Sequence, residues 1–468
     1  MEIDKLIDRI IDRVAVNLRE TGMDPGEWVR GLVTPDLAAS YAFYELTTDH
    51  PISFSFIHSC LSGSYFLGRC RVDHSVLVKT DVRGDELKRA GDRFAFQGRE
   101  IPVLEDEAIL IKDSFLLRTL VHNFSHDPEN LEEFKIKNTV ALHYANIHGA
   151  PVEGSFLAPF ATIDLTRVHD CVIGAFSYVQ TGELSHAVVQ PGTVWIKRPD
   201  FEFTYRFDPD VLSRYVSVDP GKEPAGEICE FVREKRKAFR KVFSSLGQPV
   251  DCPDSSALSP YAVAEGDIHL GENVLVCQRA FLENAHLGDG ANAQENCFVV
   301  NSTLQGFNIT AHGGKVVHAD LGKNGFVGFN AMVRGTEENP VRAGQGVVFM
   351  PHAIVDAAEP LDIPANTMVW GHVTTLADLE ENSIPLEELK TFQGDLSRGR
   401  MHFSGNGRLL VEGFLHRIRH ILEANGAFAQ PGEKQGHAQH RSDTSFTTIR
   451  AYPSGDKQGI FPHIRVAP

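Results

Sequence analysis

Between Leu270 and Val333 an apolar or small residue returns at every sixth position. Leu270, Val276 and Leu282 form one run; Leu287, Ala293, Val299, Gln305, Ala311 and Val317 form the next; Leu321, Val327 and Val333 close the series. Slips of five and four residues separate the runs. Another small or apolar residue often follows four positions on, as at Val274, Ala280, Ala291, Cys297 and Ile309. Six suits neither a helix nor an alternating strand, whose periods are about 3.6 and about 2. It suits a parallel β-helix with a short strand and a corner per hexad. Three hexads then close a triangular coil, so that residues about 18 apart stack at strand spacing, roughly 4.8 Å. Two further tracts carry the period: Phe54, Cys60, Phe66, Val72, Val78, Gly84, and Ala161, Arg167, Ile173, Val179, Ser185, Pro191.

Around these tracts the pattern changes. Ile3, Leu6, Ile7, Ile10, Ile11, Val14 and Leu18 recur at helical spacing, predicting an amphipathic helix packed on the body of the protein within an N-terminal helical segment, 1–50. The first β-helix tract is expected over 51–85, an inserted excursion over 86–150, and the second tract over 151–196. A helical excursion follows over 197–262, whose helix EPAGEICEFVREKRKAFRKVFSSLG should stop at Gly247. The main tract is expected over 263–373 and two C-terminal helices over 374–426, leaving a tail or arm over 427–468.

The chain has 468 residues, of which 45 are Lys or Arg and 62 Asp or Glu, a formal charge of −17. That balance argues against a nucleic-acid partner, which needs a basic footprint, and against a basic membrane surface. No apolar run approaches the roughly 20 residues of a membrane span. Seven cysteines, odd in number and without a CxxC pair, suit reduced thiols rather than a disulfide framework. The N-terminus mixes acidic and basic residues, unlike a signal peptide, so a cytoplasmic location is expected.

The hexads resemble the hexapeptide-repeat, left-handed β-helix superfamily, which includes acyltransferases and the γ-class carbonic anhydrases. The resemblance implies an all-β fold, a left-handed parallel β-helix interrupted by two excursions and flanked by α-helices. The γ-class carbonic anhydrases carry an Arg-Gly-Asp turn, a coil of the form IGxxTxIQ, and a zinc-binding His six residues after the Gln. Here Arg83-Gly84-Asp85 closes the first tract, and the coil Ile173-Gly174-Ala175-Phe176-Ser177-Tyr178-Val179-Gln180 precedes His186 by six. The resemblance implies an interface ion pair of Arg83 and Asp85, a water-orienting Gln180 and a zinc-ligating His186. Two further histidines, five apart, should follow on the next coil, but those slots hold Gln278 and Glu283. His312 and His318, six apart, are the best available pair, so a zinc set would be His186, His312 and His318.

His312 and His318 follow Ala311 and Val317 in the same hexad slot. At 18 residues per coil, Gln294 lies beneath His312 and Asn330 above it. Such a column is either a site or a ladder of hydrogen-bonded corner residues. As a site, it offers a histidine able to deprotonate an amine or hydroxyl nucleophile. The resemblance implies this role in an acyltransferase, with acyl-CoA as co-substrate and a small-molecule acceptor. His312, His318, Gln294 and Gln180 are then the catalytic candidates. The alternatives are a γ-carbonic-anhydrase-like, metal-dependent lyase or hydratase, and a non-catalytic β-helix assembly protein. Phosphate-loop, nucleophile-elbow and H-E-x-x-H motifs do not occur. Flat prism faces, and active sites placed between subunits, lead to an expected homotrimer.

Overall fold

A computed structural model describes residues 2–34, 37, 39–96, 98–123, 134–239, 250–430, 436–440, 444–452 and 459–467. Its strands stack as a parallel β-helix, in two compact units. The first comprises Met1–Thr193, Val216–Ala225 and Asp443–Pro468; the second comprises Val194–Tyr215 and Gly226–Ser442.

In the first unit, short strands pair in parallel at a step of 16, not 18: Phe54 lies beside Cys70, Tyr65 beside Asp81, Asn146 beside Thr162, and Thr162 beside Tyr178. The inward side chains explain the step. Val152, Leu157, Ile163, Val168, Ile173, Val179 and Leu184 are all buried and follow one another at five or six residues, so a coil has two five-residue sides and one of six. The strands Val76–Val78, Phe115–Leu117 and Phe156–Leu157 are apolar on both faces because the helix Glu2–Leu18 covers their outer side. Leu6, Ile10, Val14 and Leu18 of that helix pack on Val76, Val78, Phe115, Leu117 and Phe156. Each such side chain contributes roughly 1.5–3 kcal/mol on burial. At the start of the stack, Ser445–Arg450 pairs antiparallel with Tyr41–Leu46, and Ile460–Val466 with Phe54–Cys60.

The second unit steps by 17 over Leu275, Asn292, Ile309 and Phe326, then by 22 and 20 to Val348 and Met368. Leu270, Val276, Leu282, Leu287, Ala293, Val299, Leu304, Val316, Leu321, Val327 and Val333 form its inner core. Their spacing is six, six and five, so the five-residue slip after Leu282 belongs to every coil. Three short elements follow the stack: helices Leu376–Glu381 and Leu386–Thr391, with the strand Ser383–Pro385 between them pairing antiparallel with Thr367–Val369. A capping box of Thr375 and Asp378 starts the first helix, and the longer helix Gly407–Ala424 buries Leu410, Val411, Ile418 and Leu422.

Several expected boundaries move. Within the excursion of 86–150, residues 86–108 leave the coil, Arg93–Phe96 and Arg99–Pro102 forming a hairpin, and residues 124–133 lie outside the described residues. Ile109–Lys112, Phe115–Leu117, Leu120–His122, Lys135–Lys137 and Asn146–His148 are coil strands, hidden from a six-residue search because their inward residues recur at five. Within 197–262, the helices Pro209–Tyr215 and Glu227–Lys235 leave the stack, which resumes by Ala257–Leu258, while Phe201–Arg206 stays in a sheet, paired antiparallel with Met401–Asn406. The expected helix stop at Gly247 lies outside the described residues. The segment 427–468 is no mere tail, since two of its strands extend the first unit's sheets. All seven cysteines are free. Among the described residues, no helix is long and apolar enough to cross a membrane.

Candidate functional site

Each unit carries a buried column of ionisable and amide side chains, and the repeat explains both. In the first unit the strands Asp81–Arg83, Leu120–His122, Asn146–His148 and Thr162–Asp164 turn their central apolar residue inward. Their last residues therefore point outward in register: Arg83, His122, His148 and Asp164. All four are buried. Arg83 pairs with Asp85. His122 Nε2 stands 3.3 Å from Asp85 Oδ1 and 4.0 Å from Glu86 Oε1. His148 Nδ1 lies 2.9 Å from Asp164 Oδ1, and the Tyr178 hydroxyl donates to Asp164 Oδ2. The two imidazoles meet edge to face with centroids 4.9 Å apart, and each offers a ring nitrogen within 4.8 Å of the other's. Burial pushes the Glu86 carboxyl up to about 7, with His122 opposing it.

Gln180 sits at the end of this face, half-buried, its Oε1 3.4 Å from the Tyr178 hydroxyl. The column thus gathers Arg83, Asp85 and Gln180 with His122, His148 and Asp164, which a six-residue reading passes over. A signal was present: DVR, LVH, NIH, TID and YVQ share one apolar centre between two outward positions.

In the second unit the polar column runs along a corner. The register Val276, Ala293, Thr310 carries on to Gln278, Glu295 and His312. Glu295 and His312 are 0% and 2% exposed, and His312 Nδ1 sits 2.8 Å from Glu295 Oε2. At a step of 17, Glu295 lies beneath His312, while Gln294 is shifted to Ala311, and Phe329 takes the place above, 5.4 Å ring to ring. Asn330, expected above, reaches His312 through its backbone N–H, which donates to the carbonyl at 3.0 Å. Lys315, on the strand that follows, is 1% exposed, and burial depresses its ammonium to about 7 beside Cys229 and Cys297.

Of the histidines first considered for zinc, His312 and His318 do not converge within the second unit. His318 lies beyond the strand Lys315–Val317 from His312, at φ 46°, with its Nε2 3.2 Å from the Asn301 amide nitrogen; Asn301 in turn accepts from Asn284. It is one rung of a corner ladder. His186 belongs to the first unit, two-thirds exposed at φ 50°, 4.0 Å from Asp170, and continues a corner column of Gly154 and Asp170. Zinc needs three or four donors converging at about 2.0–2.3 Å. His312 and His318 do not fit it. In the first unit His122 and His148 hold ring nitrogens within 4.8 Å of each other, and Asp85 stands 3.3 Å from His122.

Residues 99–220 match the family described as "Hexapeptide repeat including loop". A solved structure from Desulfovibrio desulfuricans G20, described as a "putative acetyltransferase", is 48% identical over 100% of this chain and 99% of that one, with a TM-score of 0.93. A Bacillus cereus structure of the same description is 12% identical over 37% of this chain and 95% of that one; its TM-score of 0.20 carries no argument. No curated protein matches the chain.

Proposed function

The chain belongs to the hexapeptide-repeat family, and from that premise we propose that it transfers an acyl group from acyl-CoA to a small amine or hydroxyl acceptor, with His312 as general base. One observation carries the choice of base: a buried carboxylate, Glu295, lies 2.8 Å from Nδ1 of a buried histidine. A carboxylate at Nδ1 fixes the ring and leaves Nε2 as the nitrogen that exchanges a proton, and it stabilises the imidazolium formed. His312 takes the acceptor proton as the nucleophile attacks the thioester carbon. The C–S bond breaks, and the proton returns to the departing thiolate, giving acylated acceptor and free CoA. Burial excludes the water that would hydrolyse the thioester. Likeness over the full length to the Desulfovibrio protein supports the reaction class.

Thiol release from acetyl-CoA across a panel of amines and alcohols tests the reading. His312→Ala should lose about 10²- to 10⁴-fold, the range for a general base, while melting within a few degrees of wild type. Equal turnover in both proteins would remove His312 from the mechanism. We extend the proposal to a homotrimer, three copies of 51.7 kDa or about 155 kDa, which light scattering reads directly.

A second reading rests on the first unit's column. His122 and His148 offer two imidazoles within 4.8 Å of each other; a divalent metal held by them would supply Lewis-acid polarisation for a hydratase or lyase. Metal analysis of purified protein and of His148→Ala decides it. Stoichiometric metal lost in the variant supports this reading; metal-free active protein ends it.

A further inference from the structure

The corner that carries Glu295 and His312 holds Gln278 one coil before Glu295 and two before His312, in register through Leu275, Asn292 and Ile309. Gln278 is 1% exposed, and among the described residues neither its side-chain oxygen nor its nitrogen has a hydrogen-bond partner. The backbone around it is satisfied: the Cys277 N–H donates to the Ala293 carbonyl and the Arg279 N–H to that of Tyr261. Burying an amide without a partner forfeits its bonds to water for nothing in return. The neighbouring corner shows the alternative, where Asn284, Asn301 and His318 join side chain to side chain.

We propose, resting on the acyl-transfer reading, that Gln278 binds the acyl acceptor through a neutral group that both donates and accepts, a hydroxyl or carboxamide, while the acceptor's nucleophile faces His312. The amide offers a donor and an acceptor side by side, and such a group satisfies both. A carboxylate would leave the Gln278 oxygen unmatched and would stand beside Glu295, the next residue along the column. An ammonium would leave the Gln278 NH₂ unmatched. The acceptor is therefore an amine or alcohol with a second, uncharged polar group, and a plain hydrocarbon amine is discriminated against. A site built to bond a hydroxyl rejects the analogue that lacks it, because its own polar group is then stranded.

Serinol and 3-aminopentane share a skeleton and an amine and differ in two hydroxyls, so they serve as probes. Two readouts are taken on wild type and Gln278→Leu: thiol release from acetyl-CoA, and the melting-temperature rise produced by each amine. Wild type should prefer serinol by both. In Gln278→Leu the serinol KM should rise about tenfold or more, with kcat falling by less, and the serinol-dependent melting shift should vanish. Gln278→Met, unbranched and of similar length, provides the same comparison if the leucine variant does not fold. A serinol KM or melting shift unchanged by the substitution overturns the acceptor site, whether or not thiol is released. A shift lost in the variant, with no thiol released by wild type, overturns acyl transfer and leaves the binding site standing. No serinol preference in wild type by either readout overturns it as well.

Discussion

The first and second units wind the same kind of coil with a difference of one residue. The first advances by 16, in sides of five, five and six; the second by 17, in sides of six, six and five. Their corners differ more. Left-handed backbone in the first unit falls on Lys79, Arg118, Tyr144, Phe160 and Phe176 in one column, on His58, His74, Asp113, Asn138, Asp170 and His186 in another, and on Leu165. In the second it falls largely on asparagine: Asn273, Asn284, Asn296, Asn301, Asn324, Asn330 and Asn366. That conformation costs an ordinary side chain roughly 1–2 kcal/mol and asparagine less. The first unit offsets the cost by stacking side chains down the column. Tyr144 and Phe160 lie 4.9 Å apart and Phe160 and Phe176 6.4 Å, contacts worth roughly 0.5–1.5 kcal/mol. The second uses asparagine amides, with Asn284 donating to Asn301 at 2.9 Å. A coil needs corners that agree from one turn to the next, and the chemistry of agreement is interchangeable.

The largest test of this comparison attacks the cores. Val179→Asp and Val299→Asp each bury an unpaired carboxylate at a fully buried inward position, and each should destabilise its own unit by about 4 kcal/mol or more. Hydrogen exchange should show protection falling first in the unit that carries the substitution. Uniform loss from either variant would mean that the two units unfold as one.

A change of pH should separate the units by sign. Burial raises Glu86 from 4.5 to about 7. Between those values the unfolded chain has released the proton that the folded first unit keeps, so stability falls as pH rises. Burial lowers Lys315 from 10.5 to about 7. Over that higher range the unfolded chain binds more protons, so the second unit gains stability as pH rises. Each effect should be of order 1–3 kcal/mol, read from exchange protection in the two units. Slopes of the same sign would contradict the burial of one group or the other.

The smallest effects belong to the corners. His186→Asn relieves a strained, exposed histidine and should stabilise by about 0.5–1 kcal/mol, whereas Asn301→Leu should destabilise by about 1–2 kcal/mol. Urea midpoints read both. A loss of stability in His186→Asn would show that the histidine holds something at that corner.

The repeat was legible because inward Leu, Val and Ala must recur wherever a coil closes, and Leu270 to Val333 showed it plainly. The coil length was not, because a slip of five after Leu282 looks like an interruption until Leu304 and Leu321 repeat it. That one residue moved the partner of His312 from Gln294 to Glu295. In the first unit the five-residue sides put Ile111, Leu116 and Val121 out of phase with six, so true coils read as an excursion and His122 and His148 went unseen with them. Arg83 and Asp85 came from the resemblance, as a pair across an interface; here the two buried side chains pair within one chain. His186 was misplaced for a further reason: a corner histidine and a ligand look alike when the signal is spacing alone.

The central claim, acyl transfer by a carboxylate-held histidine, meets its most direct test in thiol release from acetyl-CoA by chelator-treated wild type and by Glu295→Gln. The account predicts full turnover after chelation and a loss of about tenfold or more in Glu295→Gln, whose neutral amide no longer stabilises the imidazolium. Turnover abolished by the chelator, restored by zinc and indifferent to Glu295→Gln would contradict it.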